Sequence, residues 1–157
     1  MSENNSIIDQ LQSSFVPDQP RMLRKHLTVK ERGVEYRAKV DPERETIVFQ
    51  VDGDIIKEGN KCDKLILSED TSLHNSYKAH FVELKGRDIP HAVLQLEATL
   101  ENDLFKERSI SKRYARVVGR SFPSSSANPE MEKAKKRFKT KYGCELKMFK
   151  SGQVDTI

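Results

Sequence analysis

The fold turns on residues 61–86, KCDKLILSEDTSLHNSYKAHFVELKG. Lys61 to Leu67 and Lys78 to Leu84 read as strands, and the polar run Ser68 to Ser76 between them reads as a loop. Side chains alternate along a strand, so Glu83 and Lys85 share one face and Leu84 points to the other. If the two strands pair antiparallel, Asp63 lies across from Glu83 within side-chain reach. Asp63 sits next to Cys62 and just ahead of the apolar Leu65-Ile66-Leu67, where an unpartnered charge would be costly. Two carboxylates and an ammonium would then meet at one strand end. Two carboxylates suit a hard divalent cation such as magnesium, which keeps several waters and takes phosphate oxygens.

Working outward, Thr46 to Val51 is a further strand, with turn signals at Asp52-Gly53 and Gly59-Asn60. Downstream, Gly86 ends the Glu83 strand. Asp88 then caps a helix over Pro90 to Glu101, in which Val93, Leu96 and Leu100 fall at helical spacing. Lys112 to Gly119 is a fourth strand and Ser121 to Asn128 a loop. A second helix runs from Pro129 to about Lys141 and stops at Gly143, and Cys144 to Phe149 is a last short strand. Upstream, Arg21 to Gly33 reads as a basic helix. Residues 1–20 read as a flexible N-terminal segment, a tail or a short helix around Ile7 to Leu11, ahead of a single domain over 21–157. The expectation is an α/β fold: a mixed sheet flanked by helices, αβββαβ followed by αβ.

The 157-residue chain is 36% hydrophobic and 33% charged, so its core must be concentrated in few segments. Lys and Arg number 28 against 24 Asp and Glu, a net +4 that permits nucleic acid as a partner without demanding it. No apolar run is long enough to span a membrane, and the polar start carries no secretory pattern. A cytoplasmic protein with reduced core thiols at Cys62 and Cys144 is expected. Two cysteines without a Cys-x-x-Cys exclude a zinc ribbon.

An acid in an apolar strand, a loop, Glu-x-Lys at a strand end, a glycine and a proline-started helix together resemble the PD-(D/E)XK nuclease superfamily. The match runs through Cys62-Asp63-Lys64-Leu65-Ile66-Leu67 and His80-Phe81-Val82-Glu83-Leu84-Lys85-Gly86, and reaches Gln95-Leu96 in the next helix. It covers about residues 34–119. The literal Pro-Asp is replaced by Cys62-Asp63. The resemblance implies a restriction-endonuclease-like core and phosphodiester hydrolysis dependent on magnesium or manganese. It implies Asp63, Glu83 and the Leu84 carbonyl as metal ligands, Lys85 as the catalytic lysine and Gln95 facing the site. In many members an upstream helix supplies one more acid, for which Glu31 and Glu35 are the candidates.

Glu145-Leu146-Lys147 repeats the tripeptide of residues 83–85 without the surrounding pattern, and reads as the exposed face of an edge strand. His74, His80 and His91 have no metal-ligand spacing. For nucleic acid, Lys112, Arg113, Arg116 and Arg120 are the expected contacts, with Lys106 and Arg108 nearby. The lysines of the late helix read equally as a solvated face. The expected activity is endonuclease or exonuclease cleavage, of DNA ahead of RNA, in a defence or repair system. The assembly expected is a homodimer or a subunit of a larger complex. The alternative is a catalytically silent nuclease fold that binds nucleic acid or protein.

Overall fold

The computed structural model describes residues 6–59, 61–84, 88–120 and 129–157. Its strands are β1 (Gln19–Glu31), β2 (Val34–Gln50), β3 (Lys64–Glu69), β4 (Tyr77–Leu84), β5 (Ile110–Gly119), β6 (Cys144–Lys150) and β7 (Val154–Thr156). Its α-helices are α1 (Ile7–Gln12), α2 (Ile89–Glu101) and α3 (Pro129–Tyr142). The strands form one mixed sheet in the order β1-β2-β3-β4-β5-β6, with β7 alongside β2. Pairing is antiparallel from β1 to β4 and parallel from β4 through β5 to β6. The two parallel steps are the crossovers that carry α2 and α3, as a parallel pair requires.

The helices start where the sequence expects. Asp88 accepts the His91 N–H at 3.1 Å and Pro90 lies in the first turn of α2. Proline 129 opens α3, and Gly143, at φ +58°, follows its last turn. Ser6 and Asp9 form a reciprocal capping box on α1, whose Ile7, Ile8 and Leu11 are buried in the main core. The N-terminal stretch therefore contains the short helix, packed against the sheet.

Two expectations need correction. Arg21 to Gly33 is no helix. It lies almost wholly in β1, where Leu27 and Val29 are buried alternately with exposed neighbours, and Gly33 serves the turn into β2 rather than a helix end. The pairing with β2 overrides what looked like helical spacing of Met22, Leu23 and Leu27. Nor do the described helices flank the sheet on both sides. Residues of α1, α2 and α3 all pack in one cluster with Phe49, Leu65, Phe81 and Val117. The other face, with Ile66, Val82, Leu84 and Val118, is covered by Leu27, Val29, Val34 and Tyr36 of the β1–β2 hairpin.

One long strand can serve both ends because its register breaks. Arg24 pairs with Arg44 and His26 with Lys39, so a single residue of β1 faces four of β2. Pro42 lies in that bulge, where its missing N–H is harmless. Beyond the bulge, Thr46–Gln50 pairs with β3, whereas Arg37–Lys39 pairs with β7.

The hairpin is tied down by a buried ion pair. Arg116 of β5 is 3% exposed, and its Nε donates to Asp155 at 2.7 Å. The Tyr36 hydroxyl donates to the same Asp155 oxygen at 2.6 Å, and Arg116 Nη2 reaches Glu145 at 2.9 Å. The guanidinium also lies over the rings of Tyr114 and Phe149. Deeper on this face His80 stacks on Tyr114, with centroids 4.9 Å apart, and its Nε2 lies 3.1 Å from Ser68 Oγ. Burial, then the cations Arg116, Arg44 and Lys78, push its pKa down to about 3.

Two measurements check this packing. Asp155→Ala leaves the buried Arg116 Nε and the Tyr36 hydroxyl without their shared carboxylate, and the urea midpoint should fall by the equivalent of about 3 kcal/mol. Folded His80 stays neutral where the unfolded chain's histidine, near 6.5, takes a proton. That component of stability is fully present above pH 6.5 and is lost as pH falls toward 3. His80→Asn should destabilise at pH 7, but the gap to wild type should narrow in melts taken between pH 6 and 4.

Candidate functional site

The antiparallel register of β3 and β4 ends at Lys64 opposite Val82. One more step places Asp63, the residue just before β3, opposite Glu83. Here the ladder does not simply stop: the Asp63 side chain takes it over, Oδ2 accepting the Leu84 N–H at 2.9 Å. Glu83 alternates with Ala79 and Phe81, so it belongs to the helix-bearing face, and Leu84 packs on the opposite one. Both carboxylates are buried, Asp63 at 2% and Glu83 at 0% exposure. Both bear on the buried Cys62 thiol, whose pKa is raised first by burial and then by these two acids.

Asp63 carries a mark of this environment. Its pKa is raised above the ordinary carboxyl value, chiefly by burial. The Leu84 N–H and the Arg32 guanidinium pull it back, while Glu31 and Asp52 push it up again. Four acids, Glu31, Asp52, Asp63 and Glu83, thus converge on one end of the sheet. Cations stand beside three of them: Arg32 at Asp63, Lys61 Nζ at 3.7 Å from Asp52, and on the hairpin side Lys64 Nζ, 2.8 Å from Asp18 and 3.6 Å from Glu31.

Helix α2 is stitched to the backbone just upstream of Asp63. Thr99 Oγ1 accepts the Cys62 N–H at 2.9 Å and donates to the Gln95 carbonyl at 2.8 Å. Gln95 Nε2 donates to the Lys61 carbonyl at 3.2 Å, and its Oε1 is buried with no hydrogen-bond partner. Gln95 therefore faces the backbone just upstream of Asp63. Thr99 was not singled out there, because a threonine in an amphipathic helix carries no signal of its own. Nor was Arg32, which looks like one more basic residue until the turn brings it to Asp63.

Lys85 lies outside the described residues. Of the two upstream acids, Glu31 is the one near Asp63, and it stands on a strand rather than a helix. Glu35 is held by Lys30 and Arg37. Among the described residues no group of three or more His, Cys, Asp or Glu is placed to hold a metal ion. The candidate centre rests on two carboxylates and the oxygens near them.

The expected nucleic-acid contacts do not act as a group. Arg116 is spent on Asp155 and Glu145. Arg113 donates to the Leu100 and Tyr142 carbonyls at 3.0 and 2.7 Å, bridging the last turns of α2 and α3. Lys112 is exposed but pairs in register with Lys78, five residues from Glu83 on β4, roughly 16 Å along the strand. Arg120 is exposed beyond the end of β5, on the Asp63 side, where its Nη2 donates to the Arg32 carbonyl at 2.8 Å. A groove of about 670 Å³, lined by Lys112, Tyr114, Lys135 and Lys139 among others, follows the β6 edge away from Asp63. Glu145 and Lys147 are exposed on that edge strand, as expected for the second Glu-Leu-Lys. Cys62 and Cys144 are both free and buried. No described helix is long and apolar enough to cross a membrane.

No protein-family model, curated protein or solved structure matches the chain.

A raised carboxyl pKa means that the ionised side chain is less stable in the folded than in the unfolded protein. Its contribution is intact below the unfolded pKa and lost as pH rises through the folded one. Asp63→Asn keeps an acceptor for the Leu84 N–H and removes the charge. Its melting temperature at pH 7 should therefore exceed that of wild type, with the advantage shrinking as pH falls through the raised folded pKa and gone below the unfolded value of 3.8.

Proposed function

We propose that the chain is a divalent-metal-dependent nuclease with a restriction-endonuclease-like core. The observation that supports this most is the juxtaposition of Asp63 and Glu83: two buried carboxylates, one just before β3 and one on the neighbouring antiparallel β4. The run β2-β3-β4-α2-β5, antiparallel up to β4 and parallel to β5, supports the βββαβ part of that resemblance, while β1 stands where the resemblance has its first helix.

The donor set fits a hard cation. It offers two carboxylates and the unpartnered Gln95 Oε1, all oxygen, in a place already crowded with negative charge. Bound magnesium or manganese would supply an activated water and neutralise charge developing on the phosphoryl group. Asp63 and Glu83 would hold it, with the Leu84 carbonyl. The Leu84 N–H fixes the Asp63 carboxylate, and Thr99 and Gln95 fix the backbone that carries it. Lys85 would orient the water and offset negative charge on the phosphate.

The test is incubation with plasmid, linear duplex, single-stranded DNA and RNA in magnesium, manganese or EDTA. Cutting should require metal, act on DNA more than RNA, and fall on the order of a hundredfold or more in Asp63→Ala and in Lys85→Ala. Metal-independent cutting, or full activity in Asp63→Ala, would reject the reading. Binding without cutting would favour a silent nuclease fold.

A further inference from the structure

Arg32 sits at the tip of the β1–β2 hairpin, at φ +50°, beside Gly33 at φ +77°. The positive φ favours glycine at 33, and a Cβ there would stand 3.0 Å from Arg120 Nη2, pressing on the end of that side chain. Arg120 holds this tip through the Arg32 carbonyl. The Arg32 side chain is not held in the same way. Its Nη2 lies 3.4 and 3.5 Å from the two Asp63 oxygens, long for a charge-assisted bond. It is 58% exposed, while the Asp63 side chain is 3% exposed. Arg32 is thus the solvent-facing cover of a buried acid. Its backbone is clamped and its guanidinium is weakly engaged.

We propose that Arg32 is an exchangeable counter-cation of the site: it competes with the divalent cation for Asp63 and, once displaced, binds a phosphate of the nucleic-acid strand. The inference rests on the metal-dependent reading above. The guanidinium has a clamped pivot, a short path to solvent and exposed Arg120 beside it, so the displaced group remains next to the carboxylates. A guanidinium suits both partners, since carboxylate and phosphate offer the same paired oxygens. Arg120 is then a positioning residue, acting through the Arg32 backbone.

The experiment is a calorimetric titration of manganese chloride into wild type, Arg32→Gln, Arg32→Lys and Asp63→Asn. It is paired with anisotropy of a short labelled DNA duplex in calcium over a range of salt. Manganese should bind one site, be lost in Asp63→Asn, and bind roughly fivefold tighter in Arg32→Gln. Arg32→Lys, which keeps the charge, should stay within about twofold of wild type. Duplex affinity should fall in Arg32→Gln, with a salt dependence shallower by about one phosphate contact. Equal or weaker manganese affinity in Arg32→Gln overturns the exchange while leaving the metal site standing. Tighter manganese with unchanged duplex binding overturns the phosphate role. No Asp63-dependent manganese binding in any protein overturns the site itself, and the exchange with it.

Discussion

The Asp63 carboxylate taking the Leu84 N–H is the contact on which the candidate site depends. A strand ladder ends wherever a residue leaves the sheet plane, and the amide left over must find another acceptor or water. Here a side chain supplies the acceptor, and that side chain is an acid. The result fixes Asp63 beside Glu83 and drags a charge into the interior. Everything around it responds to that charge: Thr99 and Gln95 secure the preceding backbone, Lys64 answers Glu31, and Arg32 covers the exposed side. A strand end devoted to stability alone would have a serine or asparagine there, with the same hydrogen bond and no desolvated anion.

Much of the architecture was legible because the alternation of β3 and β4 and the caps of α2 and α3 are local signals. The register of Asp63 against Glu83 followed from alternation plus antiparallel pairing, with nothing else needed. What stayed hidden depended on distant partners. Gln19–Glu31 is mostly polar and basic, and only its pairing with β2 makes it a strand; Val154–Thr156 is three residues long and defined by β2 and Asp155. Arg116 looked like a surface base because nothing in Arg113-Tyr114-Ala115-Arg116 announces that Asp155, far down the chain, will bury it. The placement of all the described helices on one face was equally invisible, since no strand pattern says what covers its second side.

The charge inventory reads differently once partners are known. Many of the basic residues are engaged within the protein: Arg113 on helix-end carbonyls, Arg116 on acids, and Arg137 and Lys141 on Glu97 and Glu101 of α2. The modest net excess therefore understates how unevenly the remaining cations are spread. At the Asp63 end two exposed guanidiniums, Arg32 and Arg120, border four acids. Opposite signs set side by side over a short distance can be bridged by a metal and a phosphate together, since one answers the acids and the other the bases.

The second Glu-Leu-Lys, on β6, has a consequence for solubility. As the outermost strand it leaves one row of backbone amides and carbonyls unpaired with any other described strand. Such a row is an invitation to another molecule's strand. Glu145, Lys147 and Lys150 are exposed along it, so an incoming strand would have to place its own side chains against alternating charges and strip their water. The same three letters that build an interior anion on β4 thus act on β6 as a guard against strand-to-strand aggregation, because one strand lies inside the sheet and the other forms its margin.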